Sequence, residues 1–166
     1  MRRSRQEKEE THVDRIEMPG HLIRRLQQQS TQVFQAQMQA AGFDLTSVQF
    51  AALDAIAQQP AIDQATLAAT ISFDRATIGG VIDRLESKGL VLREVSEQDR
   101  RARLLTLTLS GKRLLASCRP VVEALQADIL GALTAKEQAK FVALANKALG
   151  LDRGGQASEN PTESDR

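Results

Sequence analysis

The chain has no tryptophan and no tyrosine, and five phenylalanines are its only aromatic residues among 166. A β-sandwich core leans on aromatic and β-branched side chains, so this shortage points to packed helices built from Leu, Ile, Val and Ala. A single cysteine, Cys118, excludes an internal disulfide and fits a reducing compartment. Two histidines and one thiol leave no Cys/His cluster with metal-ligand spacing and no visible nucleophile–base pair. No glycine loop follows a strand as a phosphate cradle requires. Catalysis, cofactors and metals therefore have nothing to rest on, and none is expected. No run approaches the roughly 20 apolar residues of a membrane span. The opening MRRSRQEKEE has no apolar segment behind it, unlike a secretory signal. The expectation is a soluble cytoplasmic protein.

Net charge is only +1, which gives no global case for nucleic acid or membrane. The distribution says more. Between Arg75 and Arg113 there are nine basic residues against five acidic ones, whereas Gly150 to Arg166 holds four acids against two arginines. The basic surplus lies in one structural stretch, where a phosphate-binding surface would be.

Residues 1–17 have almost nothing to bury and read as a flexible arm; residues 151–166, with Gly-Gly and Asn-Pro, read as a disordered tail. Between them, Pro19 opens a helix that Gly42 stops, with Leu22, Leu26, Ser30, Val33, Phe34, Gln37, Met38 and Ala41 on one broad face. Thr46 caps a second helix to about Gln59, with Phe50, Leu53, Ile56 and Ala57 inward. Asp63 caps a short helix, and Asp74 caps another that runs to about Lys88, where Gly89 suits the C-terminal stop. This is a helix-turn-helix with a supporting helix. Leu90–Val95 and Leu104–Leu109 then have strand character, and the loop SEQDRRAR between them holds three arginines. Ser110 is expected to cap a long helix to Gly131, and Thr134, with Glu137 in a capping box, a last one to Leu149.

The segment FDRATIGGVIDRLESKGL places two adjacent glycines inside a helix, where each costs about 1 kcal/mol relative to alanine. At about 100° per residue, Ile78, Val81, Ile82 and Leu85 share one side. Ala76, Thr77, Gly79, Gly80, Asp83, Arg84 and Ser87 lie opposite. An exposed face without a task would more cheaply carry Glu, Lys or Gln. Small residues let a helix sink into a narrow space, and the DNA major groove is such a space. Arg75 and Thr77 in the first turn would reach base edges or phosphates, and Arg84 a backbone phosphate. The plain alternative is that Gly79-Gly80 merely admits a neighbouring helix. The basic hairpin that follows favours the first reading, because in a winged helix that loop projects toward the minor groove, where arginine is preferred.

At this point DRATIGGVIDRLESKGLVLREVSEQDRRARLLTLTLSGKRLL resembles the recognition helix and wing of the MarR family of bacterial transcriptional regulators, and the order of elements resembles that family over roughly residues 18–150. The resemblance implies a mainly α fold with a small β-hairpin wing, a winged helix-turn-helix in an intertwined homodimer. The DNA-binding lobe would cover about 46–110, and the dimerisation helices about 18–42 and 111–149. It also implies a repressor of a pseudo-palindromic double-stranded DNA operator. By the same resemblance Arg100 and Arg101 would enter the minor groove, Arg103 would meet phosphates, and Asp99 would brace the wing through Arg101. Ser96 stands where the family often has a further wing aspartate.

Family members commonly release DNA when a small aromatic acid binds, and PGHLIRRLQQ resembles the first helix of members that sense phenolic, benzoate-like or nicotinate-like acids. The matching region here holds His21, Arg24, Arg25, Thr46 and Phe50. An arginine grips a carboxylate with two-pronged geometry, although Arg24 and Arg25 would equally serve as surface ion-pair formers and His21 as a solvated helix-start residue. Two other readings stay open: a winged-helix regulator without an effector, and a winged helix that binds proteins. Cys118, far from the first helix, reads as an inert small side chain.

Overall fold

In the computed structural model, which describes residues 18–95 and 103–151, the chain forms helices α1 (Pro19–Ala40), α2 (Ser47–Gln58), α3 (Gln64–Thr70), α4 (Arg75–Ser87), α5 (Leu109–Ile129) and α6 (Ala135–Leu149). Strands β1 (Ile62–Asp63), β2 (Val91–Val95) and β3 (Arg103–Leu107) form one antiparallel sheet in the order β1-β3-β2. The expected N-terminal arm, the tail beyond Leu151 and the loop tip with Ser96, Asp99, Arg100 and Arg101 lie outside the described residues.

The chain divides into two compact units, one ending at Ile129 and the other beginning at Leu130. In the first, Leu53, Ile56, Leu67, Ile78, Ile82, Leu85 and Leu105 are fully buried in one aliphatic core. Phe34 and Phe50 are its aromatic contact, with centroids 6.2 Å apart. Helix α1 starts at Pro19 and ends where Gly42, at φ +79°, lets the amides of Gly42 and Phe43 turn back to Gln39 and Met38. Of its expected inward stripe only Phe34 and Met38 are fully buried; Leu22, Gln37 and Ala41 stay exposed. Its glutamines have a structural use. Gln29 donates to the Ile129 carbonyl at 2.7 Å and Gln37 to the Asp128 carboxylate at 3.0 Å, so part of the α1–α5 seam is polar.

Thr46 caps α2 in a reciprocal capping box with Gln49. The buried face is Gln49, Ala52, Leu53, Ala55 and Ile56, and Ala57, expected inward, is exposed. The face is turned because α4, α5 and β3 all press on this helix. Two further expectations shift at the end of the hairpin. Strand β3 stops at Leu107 rather than Leu109, and Thr108 rather than Ser110 caps α5. The Thr108 hydroxyl accepts from the Gly111 amide at 2.9 Å while donating to the Gly89 carbonyl at 2.8 Å. It thus joins the turn after α4 to the start of α5, which Ser110 could not do from inside the helix. Helix α5 ends at Ile129, short of Gly131. Strand β1 was not expected. It pairs Ile62 with Leu105 and Asp63 with Leu104, adding a third strand on the far side of β3 from β2.

In the second unit, Thr134 and Glu137 form the capping box of α6, and Gly150 at φ +70° closes the helix. None of its residues is buried; Phe141, Val142, Leu144 and Leu149 are all exposed.

Candidate nucleic-acid interface

The two helices of the helix-turn-helix begin with the same device. Asp63 accepts hydrogen bonds from the amides of Ala65 and Thr66 and the Thr66 hydroxyl; Asp74 accepts from the Thr77 amide at 2.8 Å and the Thr77 hydroxyl. These bonds, the threonine hydroxyl's first, hold both carboxyls below the usual carboxylate range. Between the helices, Ser72 takes the left-handed conformation at φ +57°, letting the Ser72 and Phe73 amides return to the Ala69 and Ala68 carbonyls. The turn is therefore short, and α4 is aimed by its cap.

Ile78, Val81, Ile82 and Leu85 fix the inner face of α4 in the core. Arg75, Ala76, Thr77, Asp83, Arg84 and Ser87 are exposed, and Gly79 and Gly80 are half-exposed. A Cβ added at Gly80 would meet only the tip of Arg84, at 3.8 Å, and one at Gly79 only the side-chain amide of Gln64, at 3.3 Å. Gly79 therefore sits close against the start of α3, whereas packing within the described residues does not call for Gly80. The helix keeps a bare N-terminal half on its outer side.

Among the described residues, no carboxylate lies within ion-pair distance of Arg75, Arg84 or Arg103. Other basic residues of this stretch are engaged. Lys88 is bound to Asp44, 2.6 Å away, and also donates to the Asp44 carbonyl at 2.9 Å, tying the end of α4 to the α1–α2 corner. Arg93 on β2 reaches Asp83 at 2.6 Å and lies 3.5 Å from Glu86. Neither pairing was foreseen; the signal available was the i, i+3 spacing of two acids on a helix otherwise suited to phosphates. Arg103 stands at the start of β3, opposite Val95. Thr77 donates its hydroxyl hydrogen to Asp74, which leaves its lone pairs and methyl group for an outside partner.

The five effector candidates do not converge within the described chain. Arg25 lines a hollow of about 530 Å³ along α1 with Leu22, Leu26, Gln28, Gln29 and Gln32. Thr46 lines another, of about 490 Å³, at the α1–α2 corner with Gln35, Gln39 and Phe43. Phe50 lines a third, of about 380 Å³, with Asp54, Ala55, Thr70 and Ile71. His21 is half-buried and Arg24 exposed on α1. Asp54 is itself paired with Arg119, at 2.5 Å, which joins α2 to α5.

Cys118 is buried and donates to the Leu115 carbonyl at 3.5 Å; burial pushes its thiol up, which disfavours the thiolate. Among the described residues there is no group of three potential metal ligands, and no helix is long and apolar enough to cross a membrane.

Comparison with known proteins gives this geometry a family. The profile of the MarR family matches residues 45–102, from the cap of α2 through β2 to the residue before β3. The transcriptional regulator HosA of Escherichia coli O157:H7 is 36% identical over 129 residues, covering 78% of this chain and 93% of HosA. The HTH-type transcriptional repressor NicR of Pseudomonas putida is 34% identical over 142 residues, covering 86% of this chain and 89% of NicR. Among solved structures, that of Bordetella bronchiseptica BpsR, described as showing how 6-hydroxynicotinic acid regulates its DNA binding, superposes with a TM-score of 0.75. Its identity is 32%, over 82% of this chain and 96% of BpsR. With about a third of the aligned residues identical over nearly the whole of these regulators, and with a helix-turn-helix fold that superposes on theirs, the chain belongs to the MarR family of DNA-binding transcriptional regulators.

Proposed function

We propose that this protein is a cytoplasmic homodimeric repressor of a pseudo-palindromic operator, released by a small phenolic, benzoate-like or nicotinate-like acid. One observation carries the DNA reading: the outer face of α4 is bare at Gly80 without a packing reason, and is flanked by arginines that lack an acidic partner among the described residues. In this reading Ala76, Gly79 and Gly80 admit α4 to the major groove, and Arg75 and Thr77 meet base edges there. Arg84 and Arg103 neutralise phosphates, while Arg100 and Arg101 enter the minor groove with Asp99 as brace.

The dimer is supported by α6, whose Phe141, Val142, Leu144 and Leu149 lack cover, and by Leu22 and Ile23, exposed near the start of α1. Apolar residues in such number on one helix call for a partner surface. The effector reading is supported by Arg25 beside Leu22 and Leu26 in the α1 hollow, a cation next to apolar surface, and by the acid named for BpsR. A regulator without an effector is the second reading, favoured by the scatter of the candidates over three hollows.

The test is fluorescence anisotropy with the DNA upstream of the protein's own gene and with random duplex. Specific binding should exceed random and should fall steeply with salt through counterion release. Sedimentation should give two chains per complex. A nicotinate-like or benzoate-like acid should then dissociate the specific complex. Equal affinity for both duplexes would remove the operator reading, and a panel of acids without effect would leave the second reading.

A further inference from the structure

Arg93 takes no part in the proposed groove contacts, yet it sits between α4 and the hairpin, two elements proposed to face DNA. It lies in the middle of β2, opposite Leu105 of β3, and Leu105 in turn pairs with Ile62 of β1. Its side chain, only 23% exposed, leaves the strand for α4 and bridges two acids almost one turn apart. Nη2 donates to Asp83 Oδ1 at 2.6 Å, and Nε lies 3.5 Å from Glu86 Oε2. That Nε is buried and makes no hydrogen bond among the described residues, so Glu86 attracts it by charge and Asp83 alone is hydrogen-bonded.

The geometry points to Arg93 as a positioning residue that locks the wing to the recognition helix and so sets the angle between their contacts in adjacent grooves. This rests on the DNA-binding reading above. The base of the hairpin is seated by buried Val91 and Leu105 beyond the turn at Gly89, φ +68°, and Arg93 adds a side-chain tie from β2 to α4 further along. A guanidinium is planar, with donors in a fixed fork, so bridging Asp83 and Glu86 restrains orientation as well as distance. A small rotation at β2 becomes a larger displacement further along the hairpin. The competing account is charge alone: Asp83 and Glu86 stand on the helix that must approach phosphates, and Arg93 would simply cancel them. The two accounts predict opposite signs for Asp83→Asn, which makes the DNA-facing surface more positive while weakening one prong of the bridge from a charge-assisted bond to a neutral one. Asp83 is 66% exposed, so this replacement leaves the core untouched.

The experiment uses the full chain and its operator duplex. Methylation protection of guanine N7 reads the major groove, and hydroxyl-radical cleavage reads the flanking minor groove. Wild-type protein should protect both. Asp83→Asn should keep the major-groove protection, lose the flanking protection and bind about tenfold more weakly. Arg93→Lys, which retains the charge without the fork, should lose the flanking protection as well. Tighter binding by Asp83→Asn with the flanks still protected would overturn the proposal, as would Arg93→Lys indistinguishable from wild type. Failure of the wild type to protect either groove would instead remove the DNA reading on which the proposal rests.

Discussion

The α-carbon of Gly111 packs directly against the carbonyl of Leu90, so closely that a Cβ on Gly111 would fall on that oxygen. The same carbonyl accepts from the Thr108 amide at 3.1 Å, which leaves it no freedom to move aside. Here the base of the wing meets the first turn of α5. Gly111→Ala should therefore destabilise the protein by about 3 kcal/mol, at the upper end of overpacking costs because the obstacle is backbone. In urea unfolding the midpoint should drop with little change in slope. A midpoint within error of wild type would show that β2 and α5 can part at no cost.

Gly80 presents the opposite case. Only the flexible end of Arg84 lies near its missing Cβ, so Gly80→Ala should gain about 1 kcal/mol of helix stability. On the groove reading the same methyl pushes the helix away from the bases. The variant should melt a few degrees higher and bind operator at least about fivefold more weakly. Higher stability with unchanged operator affinity would remove the argument that the bare face exists for DNA.

Ala61 and Ser72 hold left-handed backbone at φ +63° and +57° without being glycine. Each pays for a sharp reversal, before β1 and between α3 and α4 respectively. The left-handed conformation costs a non-glycine residue about 1–2 kcal/mol, partly offset by the greater entropy glycine loses on folding. Ala61→Gly and Ser72→Gly should each stabilise by about 0.5–1 kcal/mol. Thermal or urea unfolding of each variant checks this, and a loss of stability in either would mean that its methyl or hydroxyl is held in ways its backbone does not reveal.

The helix boundaries were legible wherever a side chain advertised the cap: Thr46, Asp63, Asp74 and Thr134 all accept the bonds their type and position suggested. The α5 boundary was not, because Thr108 and Ser110 are both good caps. Only the turn folded back at Gly89 gives Thr108 a second partner. Strand β1 has two residues, too few to alternate, and exists because β3 presents a free edge to Ile62. The bare face of α4 could be drawn from helical periodicity alone. The Asp83–Arg93–Glu86 bridge could not, since it depends on where β2 lies against α4, a tertiary relationship that no spacing of ten residues encodes. The effector candidates were read from residue type alone, and a pocket is made by what surrounds them: Arg25, Thr46 and Phe50 line three separate hollows.

Acid should loosen the helix-turn-helix through its caps. Folded Asp74 titrates below its unfolded value because Thr77 donates two hydrogen bonds to the carboxylate, and Asp63 does likewise through Thr66. A depressed folded value means the stabilisation is complete above the unfolded value and is lost as pH falls through the folded one. Stability should thus be flat in this respect near neutrality and decline below about pH 4. Thr77→Val removes the hydroxyl bond, and NMR titration should show the Asp74 carboxyl moving up toward the ordinary range. If it does not move, the Thr77 hydroxyl is not what holds it down.

Arg25 offers the sharpest test of the effector reading, because it is the one candidate cation that lines the α1 hollow, beside Leu22 and Leu26. A charge-assisted bond to a carboxylate contributes about 1.5–3 kcal/mol, so Arg25→Ala should weaken binding of a nicotinate-like or benzoate-like acid by roughly ten- to a hundredfold. Operator affinity without acid should be unchanged, because α1 lies outside the proposed groove contacts. A thermal shift reads this directly: binding to the native state stabilises by RT ln(1 + [L]/Kd), about 2.7 kcal/mol at a hundredfold excess over Kd. Wild type should show the upshift and Arg25→Ala should lose most of it at the same acid concentration, with His21→Ala losing part if the imidazole meets a ring substituent. If both variants respond as wild type does, Arg25 is a surface charge, and the acid, where it binds, is gripped elsewhere. If the variant loses the upshift yet the acid still releases DNA from it, binding in the α1 hollow is separate from the switch.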